Sequence, residues 1–154
     1  TLYRQLDRHH VDLLPDTFRP IDGDIRSDDA VSEWIVATDS AYLVAETEGD
    51  IVGFVSVAEK SSGVLPMVYP KRYGLIDDAI VTTVHRGAGV GKQLFSAAVN
   101  WIRARGLQSM QVQVWNANAG AVEFYSKQGF SPIYTRMELD LGDAQPGIKG
   151  GLDD

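Results

Sequence analysis

A glycine-rich turn between a strand-like run and a helix-like run constrains this fold more than any other feature. An apolar run from Leu75 to Val84 leads into residues 86–92 (RGAGVGK), and a helix-like run ending near Arg105 follows. Such a turn leaves backbone N–H groups free at the start of a helix, where the helix dipole favours anions. The sequence therefore predicts a phosphate-binding turn at this point.

Two common phosphate-binding spacings do not fit the turn. A P-loop needs Ser or Thr after its Gly-Lys pair, whereas Gln93 stands there, and its first glycine is replaced by Arg86. The dinucleotide pattern needs a glycine three positions after Gly89, where Lys92 stands. No Asp or Glu occurs in residues 79–122 to bind a ribose. ATP and NAD are therefore disfavoured as ligands.

The spacing that fits is Arg86-x-x-Gly89-x-Gly91, and a second motif lies one helix and one strand further along. That motif reads Asn118-x-x-Ala121-x-x-Phe124-Tyr125-x-x-x-Gly129-Phe130. Together the two motifs resemble the acetyl-CoA site of the GNAT family of N-acetyltransferases, and the resemblance covers about residues 42–139. It implies an α/β fold with a central, mostly antiparallel mixed sheet and helices on both faces. The family usually begins with a strand, and none precedes the first predicted helix here.

Periodicity predicts the element order α-α-β-β-β-α-β-α-β. The predicted helices cover residues 2–14, 27–38, 90–105 and 119–127, and the predicted strands cover 42–46, 51–58, 76–84, 110–114 and 130–139. Residues 59–74 hold two prolines and are interpreted as a long loop. We expect one domain over residues 1–141 and a flexible tail over 142–154.

Composition excludes several function classes. The chain has 154 residues and no cysteine, which excludes a disulfide scaffold, a thiolate metal site and a cysteine nucleophile. Its three histidines show no metal-ligand spacing, and its net charge of −7 argues against nucleic acid as a partner. No apolar run is long enough for a membrane span, so no membrane partner is expected. A cytoplasmic location is expected, and a homodimer is left open.

Charge is unevenly placed along the chain. Between Asp78 and Glu123 every charged residue is basic: Arg86, Lys92, Arg103 and Arg105. A local positive field in an acidic protein suits one anionic ligand and a cationic or neutral co-substrate.

The resemblance implies acetyl-CoA as co-substrate and no metal. The residues expected to bind it are Val81, Thr83, Arg86, Gly87, Ala88, Gly89, Val90, Gly91, Lys92, Asn118 and Lys127. Backbone groups near Val81 and Thr83 would bind the pantetheine arm, and the amides of residues 87–92 would hold the pyrophosphate. Arg86 would shield that charge, and the two lysines would reach outlying phosphates. Asn118 would contact the cofactor or cap the short helix.

The resemblance also implies catalytic roles. Tyr125 is expected to act as the general acid toward the departing thiolate. Asp77 and Asp78 are candidates for the proton acceptor; strand alternation would send them to opposite faces, so we expect at most one of them in the site. Glu33 and His85 are further candidates for that role.

The function expected from these residues is an acetyl-CoA-dependent N-acetyltransferase that acts on a primary amine. The missing cysteine favours direct attack in a ternary complex over an acyl-enzyme. The alternative is a non-catalytic acyl-CoA-binding regulatory module, which would need neither Tyr125 nor an acid. Polyamine, aminoglycoside, amino-acid and protein amines all stay open as acceptors. Trp34, Tyr69 and Tyr73 are candidates for lining the acceptor pocket.

Overall fold

The computed structural model describes residues 2–23, 26–63 and 66–140, so the predicted tail 142–154 lies outside the described residues. In chain order the elements are α1 (Leu2–Leu13), α2 (Asp28–Val36), β1 (Ser40–Thr47), β2 (Asp50–Ser61), β3 (Arg72–Val81), a 3₁₀ turn (Thr83–His85), α3 (Val90–Ala104), β4 (Met110–Val112) and α4 (Ala119–Lys127). None of the helices within these ranges is long and apolar enough to cross a membrane.

The four strands form one sheet in the order β1-β2-β3-β4. The first two pairs are antiparallel, and β3 pairs with β4 in parallel across the α3 crossover. This sheet confirms the predicted mixed, mostly antiparallel architecture.

Helices cover both faces of the sheet because β2 is apolar on both of its sides. On one face Val55 packs with Leu94 and Ala98 of α3 and with Tyr125 of α4. On the other face Phe54 packs with Leu6 of α1. Adjacent residues of a strand point to opposite faces, so the unbroken buried run over residues 52–58 fills both cores.

The hairpin formed by β2 and β3 is longer than predicted. The two strands pair as far as Ser61 with Arg72. Both ends of the predicted loop 59–74 are therefore strand, and only the residues between Ser61 and Arg72 connect the two strands. Arg72 Nε donates to Glu59 Oε1 across the strands at 2.7 Å. The exposed polar residues at these strand ends show no apolar alternation, which is why periodicity did not predict them as strand. At its other end β3 stops at Val81, three residues earlier than predicted.

The predicted last strand, 130–139, is wrong. Residues 130–140 are described and contain no strand, and those after Phe130 are exposed. Apolar side chains such as Ile133, Met137 and Leu139 suggested a strand, but a strand also needs a neighbour with free hydrogen-bonding groups. The edge strand β4 has only three residues and offers little edge to pair with.

Candidate active site

A cavity of about 430 Å³ opens where β3 and β4 separate. Their parallel pairing covers only Gly74 to Ile76 with Met110 to Val112, whereas β3 continues to Val81. Beyond the last pair, β3 and the segment that follows β4 are no longer paired, and the cavity lies between them. It is lined by α1 (Leu6, His9, His10), β2 (Phe54, Val55), β3 (residues 76–81), the turn and α3 (Arg86, Gly91, Leu94, Phe95), the segment 112–115, and the start of α4 (Asn118, Gly120, Ala121, Phe124, Tyr125).

The open edge of β3 presents backbone groups to this cavity. Thr82 N–H donates to Val52 O at 2.9 Å, which makes Val81 and Gly53 a non-hydrogen-bonded pair. The N–H and C=O of Val81 therefore point away from β2, toward the gap. Ala79, two residues earlier, has the same orientation. This edge can bind an extended amide-containing ligand as an added strand would be bound.

The glycine turn places the start of α3 at one end of the cavity. Gly87 and Gly89 have φ of 77° and 86°, a conformation that favours glycine, and Gly89 is the N-cap of α3. The first helical hydrogen bond runs from Gln93 N–H to Gly89 O at 3.2 Å. The amides of residues 90–92 therefore have no partner within the helix and are available to an anion.

Two further features of the turn fit a diphosphate. Arg86 Nε donates to Val81 O at 3.1 Å, which holds the guanidinium beside the end of β3. A Cβ built on Gly91 would meet only Phe124 ring atoms, at 3.7 and 3.9 Å, an ordinary contact. The packing does not require glycine at this position. Its missing side chain leaves the first-turn amides open on the side that lines the cavity.

A β-bulge lies where the two candidate aspartates line the cavity. Ser56 is opposite Asp78 and Val57 is opposite Ile76, so Asp77 is an extra residue on β3. The buried Ser56 Oγ accepts from Asp78 N–H at 3.0 Å, which satisfies the amide at the bulge. The extra residue breaks strict alternation: Ile76 packs against α3, whereas Ile80 packs against α1. Asp77 and Asp78 are both among the lining residues, and the catalytic roles expected for them stay predictions.

Asp77 is the more exposed of the two carboxylates. Burial nevertheless raises its pKa; Lys60 opposes the shift, and the Asp78 charge adds to it.

Tyr125 lines the cavity from α4. It is 9% exposed and packs edge-on against Phe124 and Phe130, at ring-centroid distances of 5.2 and 5.3 Å. Burial raises its pKa to about 12, so the phenol is protonated at neutral pH. Its hydroxyl makes no hydrogen bond with any described residue, and Tyr125 lines the cavity.

Helix α1 contributes two cavity histidines that sequence reasoning considered only as metal ligands. His9 Nε2 lies 3.4 Å from Asn118 Nδ2, and His10 stacks on Phe18, whose ring meets Trp115 edge-on. Burial lowers the pKa of His10, and the neighbouring His9 lowers it further. The sequence offers one hint of this wall, the aromatic residue Trp115 just before the Asn118 motif. Nothing in the sequence indicates that Trp115 lies near α1, so the two histidines were not predicted as cavity residues.

Asn118 is the N-cap of α4, which is one of the two roles expected for it. Its Oδ1 accepts from Ala121 N–H at 3.1 Å, and its amide nitrogen faces His9. Both polar ends of the side chain therefore have protein partners, although Asn118 also lines the cavity.

Several predicted residues are outside the cavity lining. Of the expected acetyl-CoA contacts, Thr83, Gly87, Ala88, Gly89, Val90, Lys92 and Lys127 are not part of it. Thr83 begins the 3₁₀ turn, and its carbonyl accepts from Arg86 N–H. Lys127 Nζ pairs with Glu123 at 2.5 Å on the surface of α4. The roles of these residues stay predictions.

The residues expected to select the acceptor do not meet at the cavity either. Trp34, Tyr69 and Tyr73 are absent from its lining, as are the alternative proton acceptors Glu33 and His85. Tyr69 is 93% exposed. Residues of α1 line the part of the cavity near the aspartates instead of these side chains, because Leu6 anchors that helix against β2 and β3. Across the described ranges, no group of three or more His, Asp or Glu side chains could hold a metal ion.

Comparison with known proteins identifies the family. The profile of the acetyltransferase (GNAT) family matches residues 9–130, and the chain belongs to this family. Streptothricin acetyltransferase of Streptomyces lavendulae is 30% identical over 128 residues, which cover 83% of this chain and 63% of that protein.

Solved structures show the same fold. A mutant of the BH1408 protein from Bacillus halodurans superposes with a TM-score of 0.84 at 24% identity, covering 91% of this chain and 89% of that one. Aminoglycoside N-acetyltransferase AAC(6′)-Iy in complex with CoA superposes with a TM-score of 0.64 at 19% identity, covering 86% and 93%. The matches with the first curated relatives span 25%, 63% and 42% of the length of those relatives.

Proposed function

We propose that this chain transfers an acetyl group from acetyl-CoA to a primary amine, by direct attack in a ternary complex. One observation carries the proposal: a single cavity joins the anion-binding start of α3, the open edge of β3, two carboxylates and a buried phenol. These are the groups that the reaction needs. Relatives named for the acetylation of streptothricin and aminoglycosides support the same class.

The diphosphate end is the glycine turn. The amides of residues 87–92 would hold the pyrophosphate, with the Arg86 guanidinium balancing its charge. The pantetheine arm would run along β3, where the N–H groups of Ala79 and Val81 and the C=O of Ala79 face the gap, while the C=O of Val81 accepts from Arg86. Lys92 and Lys127 are exposed lysines that would contact outlying phosphates.

The acceptor end contains the acids. An alkyl ammonium has a pKa near 10, so the enzyme must remove a proton before nitrogen can attack. We assign proton removal to Asp78, because its backbone N–H is fixed by Ser56 and the residue is half-buried. Asp77 supplies a second negative charge that attracts a cationic amine.

The transfer forms a C–N bond and breaks the C–S bond of the thioester. The nitrogen lone pair attacks the carbonyl carbon, while a backbone N–H at the open edge of β3 polarises the carbonyl oxygen. Collapse expels the CoA thiolate, which takes a proton from the Tyr125 hydroxyl, while the attacked nitrogen gives up its second proton to solvent. The phenol recovers its proton from solvent, and the first proton, removed from the ammonium before attack, leaves through Asp78.

A CoA-release assay tests the proposal directly. The purified chain is incubated with acetyl-CoA and a panel of polyamine, aminoglycoside, amino-acid and peptide amines, and free thiol is measured with a chromogenic reagent. The chain has no cysteine, so the protein contributes no thiol signal. We expect turnover with at least one cationic amine, and Asp78→Asn should lower kcat at least tenfold, consistent with the typical effect of losing a general base, roughly 10²–10⁴-fold.

A thermal-shift experiment separates catalysis from binding. Acetyl-CoA should raise the melting temperature, and ATP or NAD should not. A shift with acetyl-CoA but no turnover with any amine would favour the non-catalytic acyl-CoA-binding module. A shift with NAD and none with acetyl-CoA would contradict both readings.

A further inference from the structure

A chain of hydroxyl groups leads from the β1–β2 hairpin to the carboxylate of Asp78. Tyr3 O–H donates to Asp78 Oδ2 at 3.3 Å, and the Tyr3 and Tyr42 hydroxyls are 2.8 Å apart. A tyrosine hydroxyl has one proton. If Tyr3 donates its proton to Asp78, Tyr42 must donate to Tyr3. The chain therefore has one direction, from Tyr42 through Tyr3 to the carboxylate.

The Tyr3 ring is held from two sides. The Arg26 guanidinium lies 4.0 Å from its centroid, and both oxygens of Asp7 bind that guanidinium, at 3.1 and 2.8 Å. The Phe54 ring packs against Tyr3 with a centroid distance of 4.9 Å. Burial is the main cause that raises the pKa of Tyr3, and the hydrogen bond with Tyr42 and the Asp78 charge add to it. The side chain is therefore a fixed, protonated donor.

We propose that Tyr3 is a positioning residue that orients the Asp78 carboxylate for proton removal. This inference rests on the proposed function. A carboxylate has two oxygens, and Tyr3 engages Oδ2, so Oδ1 is left to face the acceptor amine. Without the hydroxyl of Tyr3 the carboxylate could rotate, and fewer molecules would hold it in the productive orientation. The same contact explains why α1 carries a tyrosine at a position where packing alone would accept phenylalanine.

The size of the expected effect follows from the geometry. The 3.3 Å distance is longer than the ~2.5–2.7 Å of a strong O–H···O⁻ bond. Tyr3→Phe should therefore lower kcat by about three- to tenfold, less than the loss of Asp78 itself. The KM for acetyl-CoA should not change, because Tyr3 lies among the residues of α1 and not at the glycine turn.

The matched control is Tyr42→Phe. This variant also removes one hydroxyl from the same cluster, but it leaves Tyr3 able to donate to Asp78. We expect its kcat to stay within about twofold of the parent value, since only the polarisation of Tyr3 is lost. Equal losses of kcat in the two variants would mean that the two hydroxyls act as one unit and not through the contact between Tyr3 and Asp78, and the inference would fail.

A double-mutant cycle shows whether Tyr3 acts through Asp78. In an Asp78→Asn background, adding Tyr3→Phe should have little further effect on kcat, because the group that it positions is gone. Full additivity would overturn the inference while leaving the proposed function intact. If Asp78→Asn alone left kcat unchanged, the assigned base would be wrong and the inference would fall with it.

A second variant protects the test against misfolding. Arg26→Gln keeps the Tyr3 hydroxyl but removes the guanidinium that holds its ring. It should lower kcat by about two- to fivefold, again with little effect in the Asp78→Asn background. Melting temperatures with and without acetyl-CoA verify that each variant is folded and binds the co-substrate. An Arg26→Gln protein with unchanged kcat would contradict the role of the fixed ring.

Discussion

Under the proposed function, Tyr125 serves both packing and chemistry with the same side chain. Its ring lies in the core with Val55, Ile76 and Leu94, while its residue lines the cavity. A phenol buried in this way has a raised pKa, which favours the protonated form that a proton donor requires. Packing and proton donation are therefore compatible, and only a measurement that separates them can assign the role.

Tyr125→Phe keeps the ring and removes only the hydroxyl. We expect kcat to fall about ten- to a hundredfold, whereas acetyl-CoA affinity changes less than threefold, because the hydroxyl stabilises the departing thiolate and not the bound thioester. Steady-state kinetics and a thermal-shift titration measure the two quantities. Tyr73→Phe is the control, since Tyr73 is half-buried and outside the cavity lining. An unchanged kcat in Tyr125→Phe would remove the assigned role.

The Tyr125 hydroxyl should make the free energy of unfolding depend on pH in the alkaline range. The folded-state pKa of Tyr125, about 12, is above its ordinary value of 10.0. The stabilisation is therefore complete below pH 10 and is lost as pH rises from 10 toward 12. Two units correspond to at most about 2.7 kcal/mol, and partial solvation reduces this to about 1–2 kcal/mol.

Urea unfolding of the parent and of Tyr125→Phe at pH 8, 9, 10 and 11 tests this. The parent should lose more of its free energy of unfolding than the variant between pH 9 and 11. Tyr3 titrates with a raised pKa in both proteins, so its contribution cancels in the comparison. Parallel pH profiles would show that Tyr125 titrates as it does in the unfolded chain.

At the scale of elements, a substitution at Gly91 should affect the stability of α3 and the binding of its proposed ligand in opposite directions. Gly91→Ala should raise the free energy of unfolding by up to about 1 kcal/mol, because alanine is the better helix former and the new Cβ has room. It should weaken acetyl-CoA binding at least tenfold, because the methyl group occupies the approach to the first-turn amides. Urea unfolding and a binding titration give the two signs. Ser96→Ala, on the exposed side of the same helix, should change stability alone.

The elements that the sequence predicted well carry local signals. Asn118 caps α4, one of the two roles expected for it, and α4 was predicted with its observed bounds, because a cap and a stop are encoded within a few residues. The glycine turn was equally local.

The features that were missed depend on a second chain segment. The bulge at Asp77 depends on the register with β2 and on the Ser56 hydroxyl, and neither is visible in the sequence of β3. The absence of a strand over 130–139 depends on the short length of β4. The histidines of α1 reach the cavity only because Leu6 docks that helix between Phe54 and Ile80. Periodicity describes which face is apolar, but not which neighbour the face will meet.

Charge shows the same distinction at the scale of the whole molecule. Of the four basic residues between Asp78 and Glu123, only Arg86 lines the cavity. Arg105 has a structural role: its guanidinium lies 3.7 Å from the Trp101 ring centroid, and it donates to Thr38 O at 2.7 Å. At the cavity itself, the positive groups are therefore Arg86 and the start of α3. Asp77 and Asp78 line the same cavity. One site thus combines a positively charged region with a negatively charged region, as the proposed diphosphate and amine ligands require.

Because the cavity lies between separated strands, a ligand that fills it should join parts of the fold that otherwise touch little. Acetyl-CoA at about 100 times its Kd should add about 2.7 kcal/mol of stability. That energy should be concentrated where the ligand contacts the backbone. Hydrogen exchange followed by mass spectrometry should therefore show slower exchange in residues 77–81, 86–92 and 112–115 on binding. The β1–β2 turn at residues 47–50, outside the cavity lining, serves as the internal control. Uniform slowing across the chain would mean that the ligand stabilises the fold without occupying the gap between β3 and β4.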